Sequence, residues 1–215
     1  LFFLHGVWSR FFPAMSELRR VIDSGEIGEV VSAHASFCQN DGAGACSATL
    51  ETGIYCAQFI QWAMGGVAPE SVEGVNFRLH ENGNDEHISA LLKFPDGKHG
   101  TLECSLRNPS PRQATICGTK GVIEVQFPFW CPTKFTVQGM TGLGSQTWTE
   151  KKVYEFPLPD ITGEYNFVNS EGLAYEAAEA NRCLRAGLTE SPLFDSEECL
   201  AVMQVIADIR SRWEK

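Results

Sequence analysis

The sequence predicts an α+β fold: an open, mainly antiparallel β-sheet with helices packed on one face. Two features carry that expectation. Between residues 70 and 157 the chain reads as short apolar-rich segments split by turn residues, too closely connected for parallel crossovers. On either side of this stretch the apolar residues recur at helical spacing.

The first helix opens at Pro13, carries Met15, Leu18, Val21 and Ile22 as an apolar stripe, and ends at Gly25. A strand follows from about Glu29 to Gln39, then a small-residue loop from Asp41 to Ser47. The second helix runs from about Thr49 to Met64 and stops at Gly65-Gly66. Strands are expected at 72–77, 88–94 and 100–106. Asn82-Gly83 and Pro95-Asp96-Gly97 are suited to hairpins between them. Four more are expected at 113–117, 121–127, 134–138 and 152–156. Leu173, Ala177, Ala180 and Leu184 predict the core stripe of a third helix. The last helix opens on the capping pattern Asp195-Ser-Glu-Glu198 and carries Cys199, Met203, Ile206, Ile209 and Trp213 on one side. Leu1-Phe-Phe-Leu4 reads as a buried strand, so the chain looks cut from something longer. Residues 1–215 show no internal linker or repeat and are expected to form a single domain. Helices on one face leave the other face of the sheet to find cover, and self-association is the simplest route.

Composition narrows the function. The net charge is −10, which disfavours nucleic acid and anionic membrane surfaces as partners. No apolar run approaches the roughly 20 residues of a membrane span. The eight cysteines include no C-x-x-C pair and several lie in apolar runs, so they read as free thiols in a cytoplasmic protein. Gly142-Leu-Gly-Ser-Gln-Thr147 lacks a third glycine and a βαβ setting, and is read as a mobile loop. His80 and His87 flank a polar turn with Asp85 and Glu86, with little to suggest a metal. No G-x-S-x-G is present and no cysteine–histidine pair can be picked out, so nucleophilic catalysis has no support.

The one chemically suggestive pair is Glu51 and Tyr55. At i, i+4 on a helix they share a face, about 5–6 Å apart at Cβ. A tyrosine there can exchange a proton with an alcohol oxygen, but hydride transfer needs a separate cofactor. The same spacing also suits an ordinary pair at the edge of the core. Trp8, Phe37 and Trp130 either wall an apolar substrate pocket or fill the core.

Seven segments occur in a telling order. They are Val7-Trp-Ser-Arg-Phe-Phe-Pro13, Leu50-Glu-Thr-Gly-Ile-Tyr-Cys-Ala-Gln-Phe59, Gly118-Thr-Lys-Gly121, Trp130-Cys-Pro132, Tyr175-Glu176, Cys183-Leu-Arg-Ala-Gly187 and Glu190-Ser-Pro192. Together they resemble the C-terminal domain of the glucose-fructose oxidoreductase / inositol dehydrogenase / MocA (Gfo/Idh/MocA) family, in its dihydrodiol dehydrogenase branch. The resemblance implies an NADP-dependent oxidoreductase acting on a trans-dihydrodiol or an aldose sugar such as xylose. NADP would be bound mainly by an N-terminal Rossmann domain absent from these residues, with residues 1–7 a remnant of the linking strand. It further implies a homodimer formed through the open sheet face. Tyr55 falls on the family's catalytic tyrosine, and Trp8, Phe37 and Trp130 on aromatic pocket positions. Glu51 stands where aspartate is usual, and Cys46-Ser47 where a glycine pair is usual. The family's catalytic lysine would lie upstream of Leu1, so this chain alone is expected to be inactive. The other reading is a non-catalytic relative serving as a self-association module or assembly subunit.

Overall fold

The computed structural model describes residues 1–142 and 147–214, so most of the glycine loop at 142–147 lies outside the described residues. Eight strands form one sheet: β1 (Val30–Cys38), β2 (Ser71–Leu79), β3 (Asp85–Lys93), β4 (His99–Ser105), β5 (Ala114–Gly118), β6 (Gly121–Val125), β7 (Lys134–Gly139) and β8 (Lys152–Glu155). Their order is β2-β3-β4-β1-β5-β6-β7-β8. Every neighbouring pair is antiparallel except β1 with β4, which run parallel, with Ala35 opposite Leu102. That parallel pair needs a crossover, and the second helix together with the β2–β3 hairpin provides it. The β3–β4 turn places Asp96 and Gly97 at φ 61° and 75°, a left-handed pair that the aspartate–glycine sequence accommodates at low cost.

Four α-helices complete the fold: α1 (Pro13–Asp23), α2 (Ile54–Ala63), α3 (Leu173–Arg185) and α4 (Ser196–Arg210). Pro13 sits at the start of α1, and Asp195 caps α4 by accepting from Glu198 N at 2.9 Å. Helix α2 lies across β1 and β4, while α1 meets β7 and α4 meets β2. Along β1, Ala33, Ala35 and Phe37 are buried under the helices. A methyl group on Gly100 of β4 would collide with the Ile60 side chain, so glycine there sets how closely α2 approaches the sheet. Phe12, Phe59, Phe94, Phe129 and Phe135 are the largest fully buried side chains. The opposite face of the sheet is open and polar. His34, Ser36, Ser89, Thr101, Glu103, Gln113 and Thr115 share a shallow depression there.

Two expectations are corrected. Leu1–Leu4 is not a strand: Phe3 N bonds Thr189 O at 2.9 Å, Leu1 and Phe3 are exposed, and the sheet contains no strand from this segment. The stripe Leu173, Ala177, Ala180, Leu184 does not face the core either; Leu184 is 57% exposed, and Leu173 and Ala177 are also on the outside. The inner face of α3 is instead Glu179 and Cys183, with Gly172 tucked beneath Phe12 and Trp8 and Tyr175 against Phe12 at 5.0 Å. Glu179 explains the rotation. Its carboxylate accepts from Ser191 Oγ at 2.5 Å, which ties the helix to the 190s turn, and from Nε and Nη2 of Arg182 on the same helix at 2.7 Å. Those bonds outweigh an alanine-rich stripe that has little area to bury.

The Glu179 network sets an acid limit on stability. The Arg182 hydrogen bonds hold the Glu179 carboxyl down at about 2 from an ordinary 4.5. A depressed carboxyl stabilises the fold above its unfolded pKa, and that stabilisation fades as pH falls toward the folded value. Thermal melts should therefore lose ground between pH 4.5 and about 2. Glu179→Gln should be less stable at pH 7 and show a flatter profile across that window; a profile as steep as the parent's would refute this assignment.

Candidate functional site

A cavity of about 620 Å³ opens beside Tyr55. The opening segment contributes His5 to Trp8, the end of β1 contributes Phe37 and Gln39, and residues 50–55 form the floor. Trp130, Phe167 and Met203 complete the wall. All five residues singled out in the sequence, Glu51, Tyr55, Trp8, Phe37 and Trp130, line this one cavity. Trp8 and Phe37 are also buried, so both residues belong to the core as well as to the cavity wall. Phe37 stacks on Trp130 at 3.9 Å and 17°, and lies 5.8 Å from the Tyr55 ring. The phenol oxygen of Tyr55 accepts a hydrogen bond from Trp8 Nε1 at 3.1 Å.

The helix carrying the pair does not start as the spacing suggested. Thr49–Gly53 is a π-helical turn, and α2 begins only at Ile54. A π turn holds an extra residue per turn, so Glu51 is not stacked one regular turn behind Tyr55. Glu51 is exposed in the cavity, and no hydrogen bond joins it to Tyr55 among the described residues. The π turn is held from outside the helix. Asp85, 1% exposed, accepts from Thr49 N and Thr49 Oγ1 at 2.7 Å each and from Ser47 Oγ at 2.5 Å. Ser47 Oγ in turn accepts from Leu50 N at 3.2 Å. A strand carboxylate thus satisfies one free N–H of a helix start 36 residues earlier. On the other side Gly53 presses on β4, where an added methyl would stand 2.9 Å from Cys104 Sγ.

Electrostatics work against the phenol. Burial raises the Tyr55 pKa above its ordinary 10; the Trp8 hydrogen bond pulls it down, and the negative charges of Glu51 and Glu176 raise it further. No lysine or arginine lines the cavity among the described residues.

Sequence reasoning missed several lining groups. Phe167 comes from an irregular segment, is 53% exposed, and meets Trp8 edge-on at 6.2 Å. Periodicity carries no signal for a residue outside helices and strands. Met203 belongs to the expected stripe of α4, yet it is exposed to the cavity rather than packed in the core with Ile206 and Ile209. His5 Nδ1 lies 3.0 Å from Cys199 Sγ, a cysteine–histidine pair 194 residues apart that no sequence spacing could reveal. Burial lowers the His5 pKa and raises that of Cys199, so the thiol stays protonated and the pair offers no thiolate. Among the described residues no cluster of three or more histidine, cysteine or acidic groups could hold a metal, and no helix is long and apolar enough to cross a membrane. All eight cysteines are free thiols.

These residues suit the reacting end of a dinucleotide and not its phosphates. The cavity has a phenol and an aromatic wall, but none of its lining side chains is a cation. A nicotinamide nucleotide placed here would need its phosphates held by other residues.

Comparison with known proteins gives the context. Residues 15–124 match the family model described as the GFO/IDH/MocA C-terminal domain. The chain is similar to human trans-1,2-dihydrobenzene-1,2-diol dehydrogenase, with 37% identity over 98% of this chain and 61% of that protein. It is 36% identical to the bovine protein of the same name, over 98% of this chain and 62% of that one. The chain therefore spans less than two thirds of the length of these curated relatives. Among solved structures it superimposes on a mutant of KijD10, a 3-ketoreductase from Actinomadura kijaniata, in complex with TDP-benzene and NADP. The TM-score is 0.76 and the identity 18%, over 98% of this chain and 61% of that one. An oxidoreductase from Sinorhizobium meliloti gives a TM-score of 0.73 at 19% identity, over 98% and 62% of the two chains. At such identities these two neighbours speak for the fold alone.

Proposed function

The chain belongs to the Gfo/Idh/MocA family through its C-terminal domain, and from that premise we propose that residues 1–215 are the substrate-binding and dimerisation domain of an NADP-dependent oxidoreductase. Its substrate would be an uncharged alcohol, a trans-dihydrodiol or an aldose such as xylose. One observation carries the reading: Tyr55, Glu51, Trp8, Phe37 and Trp130 converge on a single cavity with the phenol oxygen at its wall. Support comes from the dihydrodiol dehydrogenases that align along nearly the whole of this chain.

In this mechanism the nucleotide, held mainly by a part of the protein beyond these residues, supplies the hydride acceptor. Tyr55 accepts the hydroxyl proton as the carbinol C–H bond breaks and the carbonyl forms. The Trp8 N–H bonds the phenol oxygen and favours its ionised form. The stacked Phe37–Trp130 pair offers a flat wall to a ring substrate and excludes water from one side. Glu51 projects into the cavity, where its carboxylate can accept from a substrate hydroxyl. It would also repel phosphorylated or carboxylated substrates. The open, polar sheet face would pair with a second copy of the chain, and the cytoplasm is the location that eight free thiols suit.

The test is a substrate panel with the complete protein: NADP reduction measured with trans-dihydrodiols, with xylose and with phosphorylated sugars, beside its mass in solution. Turnover on the neutral substrates by a dimer is expected. No turnover on any of them would favour a non-catalytic assembly module, and a preference for phosphorylated sugars would remove Glu51 from the site as described.

A further inference from the structure

The opening segment puts one histidine into the cavity wall, and the site as described gives it no task. His5 is half-buried and firmly held. Its ring stacks on Phe194 at 5.7 Å and 19°. Its Nδ1 lies 3.0 Å from Cys199 Sγ of α4. Its carbonyl accepts from Val7 N at 2.7 Å, a tight turn just before Trp8. The other ring nitrogen, Nε2, has no hydrogen-bond partner among the described residues, yet it is not sealed off as a buried atom. His5 lines the Tyr55 cavity, so this open nitrogen is available to whatever occupies it.

The pairing with Cys199 fixes what Nε2 offers. Cys199 is 8% exposed, and burial raises its thiol pKa while lowering that of His5, so a neutral thiol meets a neutral imidazole. A neutral imidazole has one N–H and one bare nitrogen. The bare nitrogen is a better acceptor than sulfur, so the S–H donates to Nδ1 and the ring proton sits on Nε2. Apart from Tyr55 itself, the cavity has few free side-chain donors. The Trp8 N–H is bonded to the phenol oxygen, and the Thr52 hydroxyl donates to Ala48 O. The Gln39 amide remains, but no hydrogen bond orients it among the described residues, whereas the His5 ring is already held in place.

We propose that His5 is a specificity-determining residue: its Nε2–H donates to an oxygen of the bound substrate, and Cys199 holds the ring in the tautomer that makes this possible. The inference rests on the proposed function above and deepens it. The substrate then carries at least one oxygen besides the one that Tyr55 serves. A mono-alcohol leaves the Nε2–H unpaired and is the poorer substrate.

Amide variants of the complete protein separate this from a purely structural role, because glutamine places its amide nitrogen near the position of Nε2 and asparagine near that of Nδ1. If His5 serves the substrate, His5→Asn and His5→Leu should each raise KM for a trans-dihydrodiol or xylose by about three- to tenfold, the worth of one hydrogen bond, with kcat much less affected. His5→Gln should recover most of that loss. Preference for a diol over the matching mono-alcohol should shrink by the same factor in His5→Leu and persist in His5→Gln. Cys199→Ala, which releases the tautomer, should raise KM part of the way, and Cys199→Ser, which keeps a donor to Nδ1, should raise it less. If the histidine only ties the opening segment to α4, the order reverses: His5→Asn, which keeps a polar group toward Cys199, is the better variant in kinetics and in thermal melts alike. That reversed order, or a KM unmoved in every His5 variant, overturns the proposal. Should His5→Leu not fold, the comparison of glutamine with asparagine carries the test. A parent protein that turns over neither diols nor xylose fails at the proposed function, and this inference falls with it; an active parent beside the reversed order sinks this inference alone.

Discussion

Replacing Tyr55 with phenylalanine in the complete protein should lower kcat for alcohol oxidation by about 10²- to 10⁴-fold, the usual worth of a positioned proton-transfer group. The ring would remain beside Phe37, 5.8 Å away, so the cavity wall should keep its shape. What disappears is the oxygen that accepts the Trp8 N–H at 3.1 Å. KM should change little, because the phenol acts on the proton in transit and contributes modestly to substrate binding. The check is steady-state kinetics beside a thermal melt. A variant that keeps full kcat would remove Tyr55 from the chemistry, and with it the main support for a dehydrogenase.

Asp85→Ala should be the most damaging single change to the site's framework. The substitution strips the hydrogen-bond acceptor from Thr49 N, Thr49 Oγ1 and Ser47 Oγ in a place that is 1% exposed. Leaving one buried donor unpaired costs about 1–3 kcal/mol, and here a backbone N–H and two hydroxyls lose their partner together. We expect a loss of about 2–4 kcal/mol in urea unfolding, more than the roughly 0.5–2 kcal/mol of a lost helix cap because three donors lose their acceptor. Activity should fall further than stability alone explains, since the π turn at Thr49–Gly53 carries Glu51 and leads into Tyr55. Asp85→Asn, which keeps an acceptor oxygen but not the charge, should recover part of both. An Asp85→Ala protein as stable as the parent would show that the turn holds itself.

Much of this architecture is legible in the chain. Apart from Leu1–Leu4 and the start of α2, strands and helices appear where alternation and helical periodicity place them, because both patterns are local consequences of backbone geometry. The capped start of α4 follows from four consecutive residues for the same reason. Local patterns fail where a distant group decides. The outward turn of α3 follows from Glu179 bonding Ser191, which outweighs the apolar stripe on the opposite side. The π turn before Tyr55 depends on Asp85, a residue of another strand that sequence inspection read only as part of a polar turn.

By itself the sequence determined the fold class, the family, and the five side chains that meet at one cavity, since these rest on residue types and their order along the chain. Tertiary structure alone decided how Tyr55 is held and that Phe167, Met203 and His5 share its wall. Hydrogen bonding and burial act through space between residues far apart in the chain, and no spacing along the chain encodes them.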